Sequence, residues 1–225
     1  MATQLDLQEQ EQLDALKAFW QQYGNLITWT LVLVLGAFAA WNGWNYWQRR
    51  QGLQASGLFD ALDRAAQSGD VALTGRAFDD LKSRYPHTGF AEQGGLEAAK
   101  LQFEKGQVDA AEASLGWVAQ NAAEDEYRSI ARLRLAAVLA SAKKYDAALK
   151  ELDGATSPAF AALVADRRGD VLALAGKPAE ARAAYEAAWK AMSDKVTYRH
   201  LIEAKLTALG AAPSVPAASA PEAAQ

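Results

Sequence analysis

The chain has no cysteine and only two histidines among 225 residues. Without cysteine there can be no disulfide, no thiol nucleophile and no thiolate metal site, and this absence suits either side of a membrane, so it does not locate the protein. His87 and His200 stand far apart and in neither H-x-x-x-H nor H-E-x-x-H spacing, which leaves a metal site unsupported. A glycine-rich phosphate loop is also missing, because Gly94-Gly95 is not followed by lysine. Nor is there a basic stripe: 23 Lys and Arg face 27 Asp and Glu, for a net charge of −4 with the signs interspersed. Such a chain has nothing to neutralise a run of phosphates, so nucleic acid is not a partner. No cluster of titratable groups suits catalysis, and the reading is of a non-enzyme with no cofactor.

One absence is local and organises everything else. No charge falls between Lys17 and Arg49, and within that gap Leu26 to Trp47 reads LITWTLVLVLGAFAAWNGWNYW. At about 1.5 Å per residue this segment covers roughly 33 Å as a helix, close to the roughly 30 Å hydrocarbon core of a bilayer. Trp20, Tyr23 and Trp29 lie near one end, and Trp41, Trp44, Tyr46 and Trp47 near the other. Aromatic rings with a polar edge favour the headgroup level, so both interfaces are marked. Ala37-Phe38-Ala39 has the form that signal peptidase cleaves, but a signal peptide begins with basic residues. Here Asp6, Glu9, Glu11 and Asp14 precede Lys17, which favours a retained anchor over residues 26–47.

Residues 1–25 form an acidic arm. Leu13, Leu16 and Trp20 recur at helical spacing, which predicts a short amphipathic helix from about Gln8, ended by Gly24. Within the anchor, Gly36, Ala39, Ala40 and Gly43 fall on one helical face and make a candidate contact surface for another membrane helix. Arg49 and Arg50 follow the span, whereas Lys17 alone precedes it. By the positive-inside rule this margin of about one charge points the C-terminal side toward the cytoplasm, a weak indication.

After the anchor alanine is abundant and β-branched residues are few, a composition that favours helix. Four pairs recur: Ala77 with Leu81, Ala111 with Leu115, Ala148 with Leu152 and Ala181 with Tyr185. A spacing near 34 residues is the tetratricopeptide length, two antiparallel helices per unit. The predicted helix pairs are 55–68 with 74–84, 89–104 with 108–120, 130–141 with 146–153, and 162–175 with 179–190, closed by a capping helix over 196–209. The fold class is thus all-α: one N-terminal transmembrane helix, then a tetratricopeptide-like α-solenoid of about four helix pairs over residues 48–210. Residues 211–225 hold Pro213, Pro216 and Pro221 among Ala and Ser, and this tail is expected to be disordered.

A solenoid offers its first helices to a partner. By repeat register the possible concave peptide-binding surface comprises Ile130, Leu133 and Ala137 of the third pair with Leu163, Asp166 and Asp170 of the fourth. Arg132, Arg134, Arg167 and Arg168, close to these aspartates, read as solvated faces and inter-repeat salt bridges.

The arm LDALKAFWQQYG, the anchor end GWNYW, and the runs ARLRLAAVLASAKKYDAALKELD and VADRRGDVLALAGKPAEARAAYEAAWKA together resemble the YfgM family of ancillary SecYEG translocon subunits. The likeness covers about residues 11–193. Its more specific part is the pairing of Gly43, Trp44 and Trp47 with Ala165, Asp166, Arg168 and Gly169. The resemblance implies a single-pass inner-membrane protein with a cytoplasmic N-terminus and a periplasmic tetratricopeptide domain. It also implies association with SecYEG and the anchored chaperone PpiD, in passing translocated polypeptides to periplasmic chaperones, without catalysis. The alternative is a cytoplasm-facing anchored adaptor that sequesters a regulatory protein.

Overall fold

The computed structural model describes residues 7–212, so the expectation for the tail beyond them lies outside the described residues. Among these the chain is helical throughout, as its alanine content requires, and contains no strand. The helices are α1 (Leu7–Gln67), α2 (Val71–Arg84), α3 (Gly89–Glu104), α4 (Val108–Asn121), α5 (Asp125–Ser141), α6 (Tyr145–Asp153), α7 (Ala161–Leu174), α8 (Pro178–Ala191) and α9 (Arg199–Ala208). A short 3-10 turn, Pro158–Phe160, leads into α7. The chain divides into two compact units, Met1–Gln51 and Gly52–Gln225, and α1 contributes residues to both.

In the first unit the predicted break at Gly24 is corrected, because α1 runs through it without interruption. A glycine costs a helix interior only about 1 kcal/mol, and it ends a helix when the chain there turns left-handed. Gly24 does not turn; the Trp20 ring lies over it, and a Cβ there would meet Trp20 Nε1 at 3.2 Å. Four residues further on, the Thr28 hydroxyl donates to the Gly24 carbonyl at 2.7 Å. Leu33 and Phe38 in the apolar run are 72% and 66% exposed, and every residue from 31 to 44 is open. This helix is long and apolar enough to cross a membrane. Near one end Phe19 packs on Tyr23 at 5.1 Å between ring centroids; near the other Trp44 packs on Trp47 at 5.4 Å, and the Arg50 guanidinium stands 5.0 Å over Tyr46.

In the second unit each helix from α2 onward packs on the next in sequence, and α3, α5 and α7 also pack in succession. What spaces them is a repeated turn. Gly69, Gly106, Lys143, Gly176 and Gly210 have φ of 73°, 77°, 61°, 75° and 72°, at intervals of 37, 37, 33 and 34 residues. Each turn closes with the same pair of hydrogen bonds. At the second, Gly106 N–H donates to the Phe103 carbonyl at 2.9 Å and Gln107 N–H to the Gln102 carbonyl at 2.7 Å. This cap satisfies carbonyls that a helix end would otherwise leave open.

The turn sets the phase of the helix that follows. Five residues after it stands a wholly buried small residue, Thr74, Ala111, Ala148 or Ala181, and four further on a large one, Phe78, Leu115, Leu152 or Tyr185. The first predicted pair is therefore corrected: Thr74 and Phe78, not Ala77 and Leu81, are the equivalents of the later pairs. Thr74 does the work of alanine because its hydroxyl donates to the Asp70 carbonyl at 2.7 Å, so its one polar atom is satisfied. Small residues on the first helices complete the fit. A Cβ on Gly95 would stand 2.9 Å from the Phe78 ring, and one on Gly169 would overlap the ring of Tyr185. Phe78 meets Trp117 edge to face at 5.5 Å, joining the first and second pairs.

Glu92, at the start of α3, is 2% exposed. One carboxylate oxygen accepts the Ala123 N–H at 2.7 Å and so fastens the α4–α5 connection; the other is buried without a partner. Burial raises its pKa above the ordinary value, against the opposing pull of the Ala123 N–H.

Two outcomes follow for stability, both read by thermal melting of the full chain. Gly106→Ala forces an L-residue into the left-handed region and lowers stability by about 1 kcal/mol, whereas Lys143→Gly relieves that cost and raises it by about 0.5 kcal/mol. Because Glu92 holds its proton more tightly when folded, its contribution is full below the unfolded pKa and is lost as pH rises through the folded one. Glu92→Gln keeps the acceptor for Ala123 without the charge, so its melting temperature exceeds the wild type's near neutral pH, and the two converge near about pH 4.

Candidate functional site

The six residues expected to line a binding surface do occupy equivalent places. Ile130 and Leu163, Leu133 and Asp166, and Ala137 and Asp170 lie 13, 10 and 6 residues before the turn that follows their helix. Their environments then diverge. Ile130, Leu133 and Leu163 are half-buried, the first two packed on the core cluster that runs from α3 to α7. Ala137 is half-buried and lines a cavity.

Asp166 is buried within the fold, and Asp170 is half-buried and already paired. Asp166 is 2% exposed; it accepts from the Tyr198 hydroxyl at 2.8 Å and from Lys205 Nζ at 2.8 and 2.9 Å. Lys205 Nζ also reaches Asp170 Oδ1 at 2.7 Å, and Tyr185 donates to the same oxygen at 2.8 Å. The residues at the end of the solenoid take up both carboxylates. Burial first, and the hydrogen bond to Asp166 second, push the Tyr198 hydroxyl up to about 12. Burial and Asp170 push Tyr185 up in the same way. Both phenols remain donors across physiological pH. Asp166 and Gly169, the more specific residues of the resemblance, thus serve the fold: one anchors α9 and the other admits the ring of Tyr185.

The cavity that Ala137 lines measures about 250 Å³ and lies along the successive first helices α3, α5 and α7. Its apolar surface comes from Ala99 and Phe103 of α3, Leu115 of α4, and Ala137 and Val138 of α5. Lys100, Glu104, Arg134 and Arg167 complete the lining. Phe103 is 41% exposed, which is unusual for a ring on a helix that otherwise buries its apolar face. The remaining charges of the region behave as expected: Arg132 pairs with Glu151 at 3.0 Å, Arg168 with Asp153 at 2.6 Å and Lys144 with Glu112 at 2.8 Å. The two arginines at the cavity are held more loosely. Arg134 makes a 3.5 Å bond to the Leu96 carbonyl, and Arg167 stands 3.6 Å from Asp170 with its Nε buried and unpartnered.

The sequence reading missed Lys100 and Phe103 because its register was followed only through the third and fourth pairs. The turn residues supply the missing signal: counted back from Gly106, Lys100 occupies the place of Ala137 and Asp170. In the anchor, Gly36, Ala39, Ala40 and Gly43 are exposed, and nothing stands within 4 Å of where a Cβ on Gly36 or Gly43 would be.

Helix pairs closed by identical left-handed turns, a small and a large residue in constant register, and a capping helix define a tetratricopeptide-type scaffold. The tetratricopeptide repeat-like domain family matches residues 17–211. The chain is 33% identical over 207 residues to an ancillary SecYEG translocon subunit of Neisseria gonorrhoeae, a match covering 90% of this chain and 98% of the relative. It is 29% identical over 185 residues to the Escherichia coli K12 protein of the same description, covering 81% and 87%. Against that of Haemophilus influenzae it is 28% identical over 182 residues, covering 81% and 89%. The chain belongs to this family of ancillary SecYEG translocon subunits with a tetratricopeptide-like domain.

The network at α9 generates a stability prediction. Lys205→Met leaves Asp166 buried without its cation and costs about 3 kcal/mol, since breaking a buried pair strands a charge. Pairing it with Asp166→Asn removes the stranded charge and recovers part of the loss. Chemical denaturation of the single and double variants measures both.

Proposed function

We propose that this protein is a non-enzymatic, membrane-tethered interaction module of the SecYEG translocon, which helps pass newly translocated proteins to periplasmic chaperones together with PpiD. The observation that carries the proposal is the joining, in one chain of this family, of an exposed apolar helix with a repeat scaffold. The helix is long and apolar enough for a bilayer and its apolar run is exposed among the described residues, while the scaffold presents a cavity along its first helices. Tethering keeps that cavity at high effective concentration beside whatever emerges from the membrane.

In this reading the N-terminus is cytoplasmic and residues 52–212 face the periplasm. Family membership supports that orientation. Arg49 and Arg50 favour the reverse, in which the domain is a cytoplasmic adaptor that sequesters a regulatory protein.

Two measurements test the proposal. Affinity purification of the full chain from mildly solubilised membranes brings down SecYEG and PpiD; their absence under conditions that preserve SecYEG itself contradicts it. Protease added to spheroplasts with an intact inner membrane digests the C-terminal domain, and protection of that domain establishes the cytoplasmic alternative instead.

A further inference from the structure

The cavity along α3, α5 and α7 has a chemistry of its own, with cations in its lining whose partners, Glu97 at 3.8 Å from Lys100 and Asp170 at 3.6 Å from Arg167, stand at long range. The chain carries a net charge of −4, yet Lys100, Arg134 and Arg167 surround this cavity against the single carboxylate of Glu104. The cations come from three successive first helices, so they form a line along the groove and not a cluster on one helix. Two of them have capacity to spare. Arg134 is exposed, with only a long bond to a carbonyl, and Arg167 has a weak ion pair and a buried Nε with no acceptor. Elsewhere on these helices Arg132 and Arg168 hold carboxylates at 3.0 Å or less, although the Arg132 Nε is likewise buried without a partner, so what sets Arg134 and Arg167 apart is the length of their contacts.

Between the cations the surface is carbon, from Phe103, Ala137 and Val138. A volume of about 250 Å³ lies below the roughly 300–1,000 Å³ of small-molecule sites, and it matches one or two side chains better than a cofactor. A guanidinium with spare donors beside an apolar hollow suits a carboxylate carried next to a large apolar side chain. We infer that the groove binds a peptide segment in which an aromatic or large aliphatic residue is flanked by acidic residues. The apolar side chain fills the hollow over Phe103 and Ala137, and the carboxylates meet Arg134, Arg167 and Lys100. This rests on the proposed function and names the class of polypeptide that the module takes.

The test uses the full chain in nanodiscs of zwitterionic lipid, with empty discs as the blank. The probe is a short fluorescein-labelled Gly/Ser peptide carrying one Phe flanked by Glu on both sides, read by fluorescence anisotropy. Two comparison probes replace the Glu residues by Lys, or the Phe by Ala. The acidic Phe probe binds, and each comparison probe binds at least about tenfold more weakly. Arg134→Glu combined with Arg167→Glu abolishes the preference for Glu over Lys, and Phe103→Ser abolishes the preference for Phe over Ala. Circular dichroism melting shows that these exposed or half-exposed substitutions leave the fold intact. Equal binding of all three probes overturns the inference, as does binding of the acidic probe that neither variant changes. Because translocon association is read separately by copurification, a chain that brings down SecYEG yet treats the probes alike refutes this inference and leaves the functional reading standing.

Discussion

The solenoid depends on one backbone constraint: a left-handed residue must stop each first helix at a fixed distance from the residues that pack. The five turns at Gly69, Gly106, Lys143, Gly176 and Gly210 share one hydrogen-bonded closure. Because each restarts the chain with the same geometry, the next helix enters in the same phase. The fifth residue after the turn must then be small and the ninth large, or the two helices cannot approach. The apolar core follows from that phase, and so does the face that each first helix turns away from the core. A repeat array has no single centre, so its stability is a sum of such local fits.

An array of this kind also has an end that must be closed. Here closure is ionic: Lys205 and Tyr198 enter from the C-terminal side and occupy Asp166 and Asp170, which a further repeat would otherwise have met. Fully buried carboxylates are costly unless paired and hydrogen-bonded, and Asp166 has both kinds of partner. The same closure confines open binding capacity to the middle of the array, where Arg134 and Arg167 keep free donors beside exposed carbon.

Much of this was legible from residues alone. Helix positions followed from the alanine periodicity and from Gly and Pro punctuation; the predicted 89–104, 146–153 and 179–190 lie within a residue of α3, α6 and α8. The span was legible from its missing charges. Two readings failed for instructive reasons. Gly24 resembled a stop, but a glycine ends a helix only where the backbone reverses hand, and composition does not report hand. Asp166 resembled a surface group because its partners, 32 and 39 residues downstream, belong to a cap whose docking no periodic pattern describes. The cavity was obscured for a related cause. Ala77 with Leu81 mimics the spacing of the later pairs and masks Thr74, and only the left-handed turn residues put Lys100 in the register of Ala137.

These parts form one account in which a bilayer-length helix brings a charge-lined groove to the translocon. Its central claim is that the groove, and not the surface at large, meets polypeptides there. A photo-crosslinking side chain at Ala137, compared with one at exposed Ala113 on α4, tests this most directly in membranes engaged in translocating a labelled protein. The account predicts crosslinks to the translocating chain from position 137 and none above background from 113. Equal labelling from the two positions, or labelling from 113 alone, would contradict it.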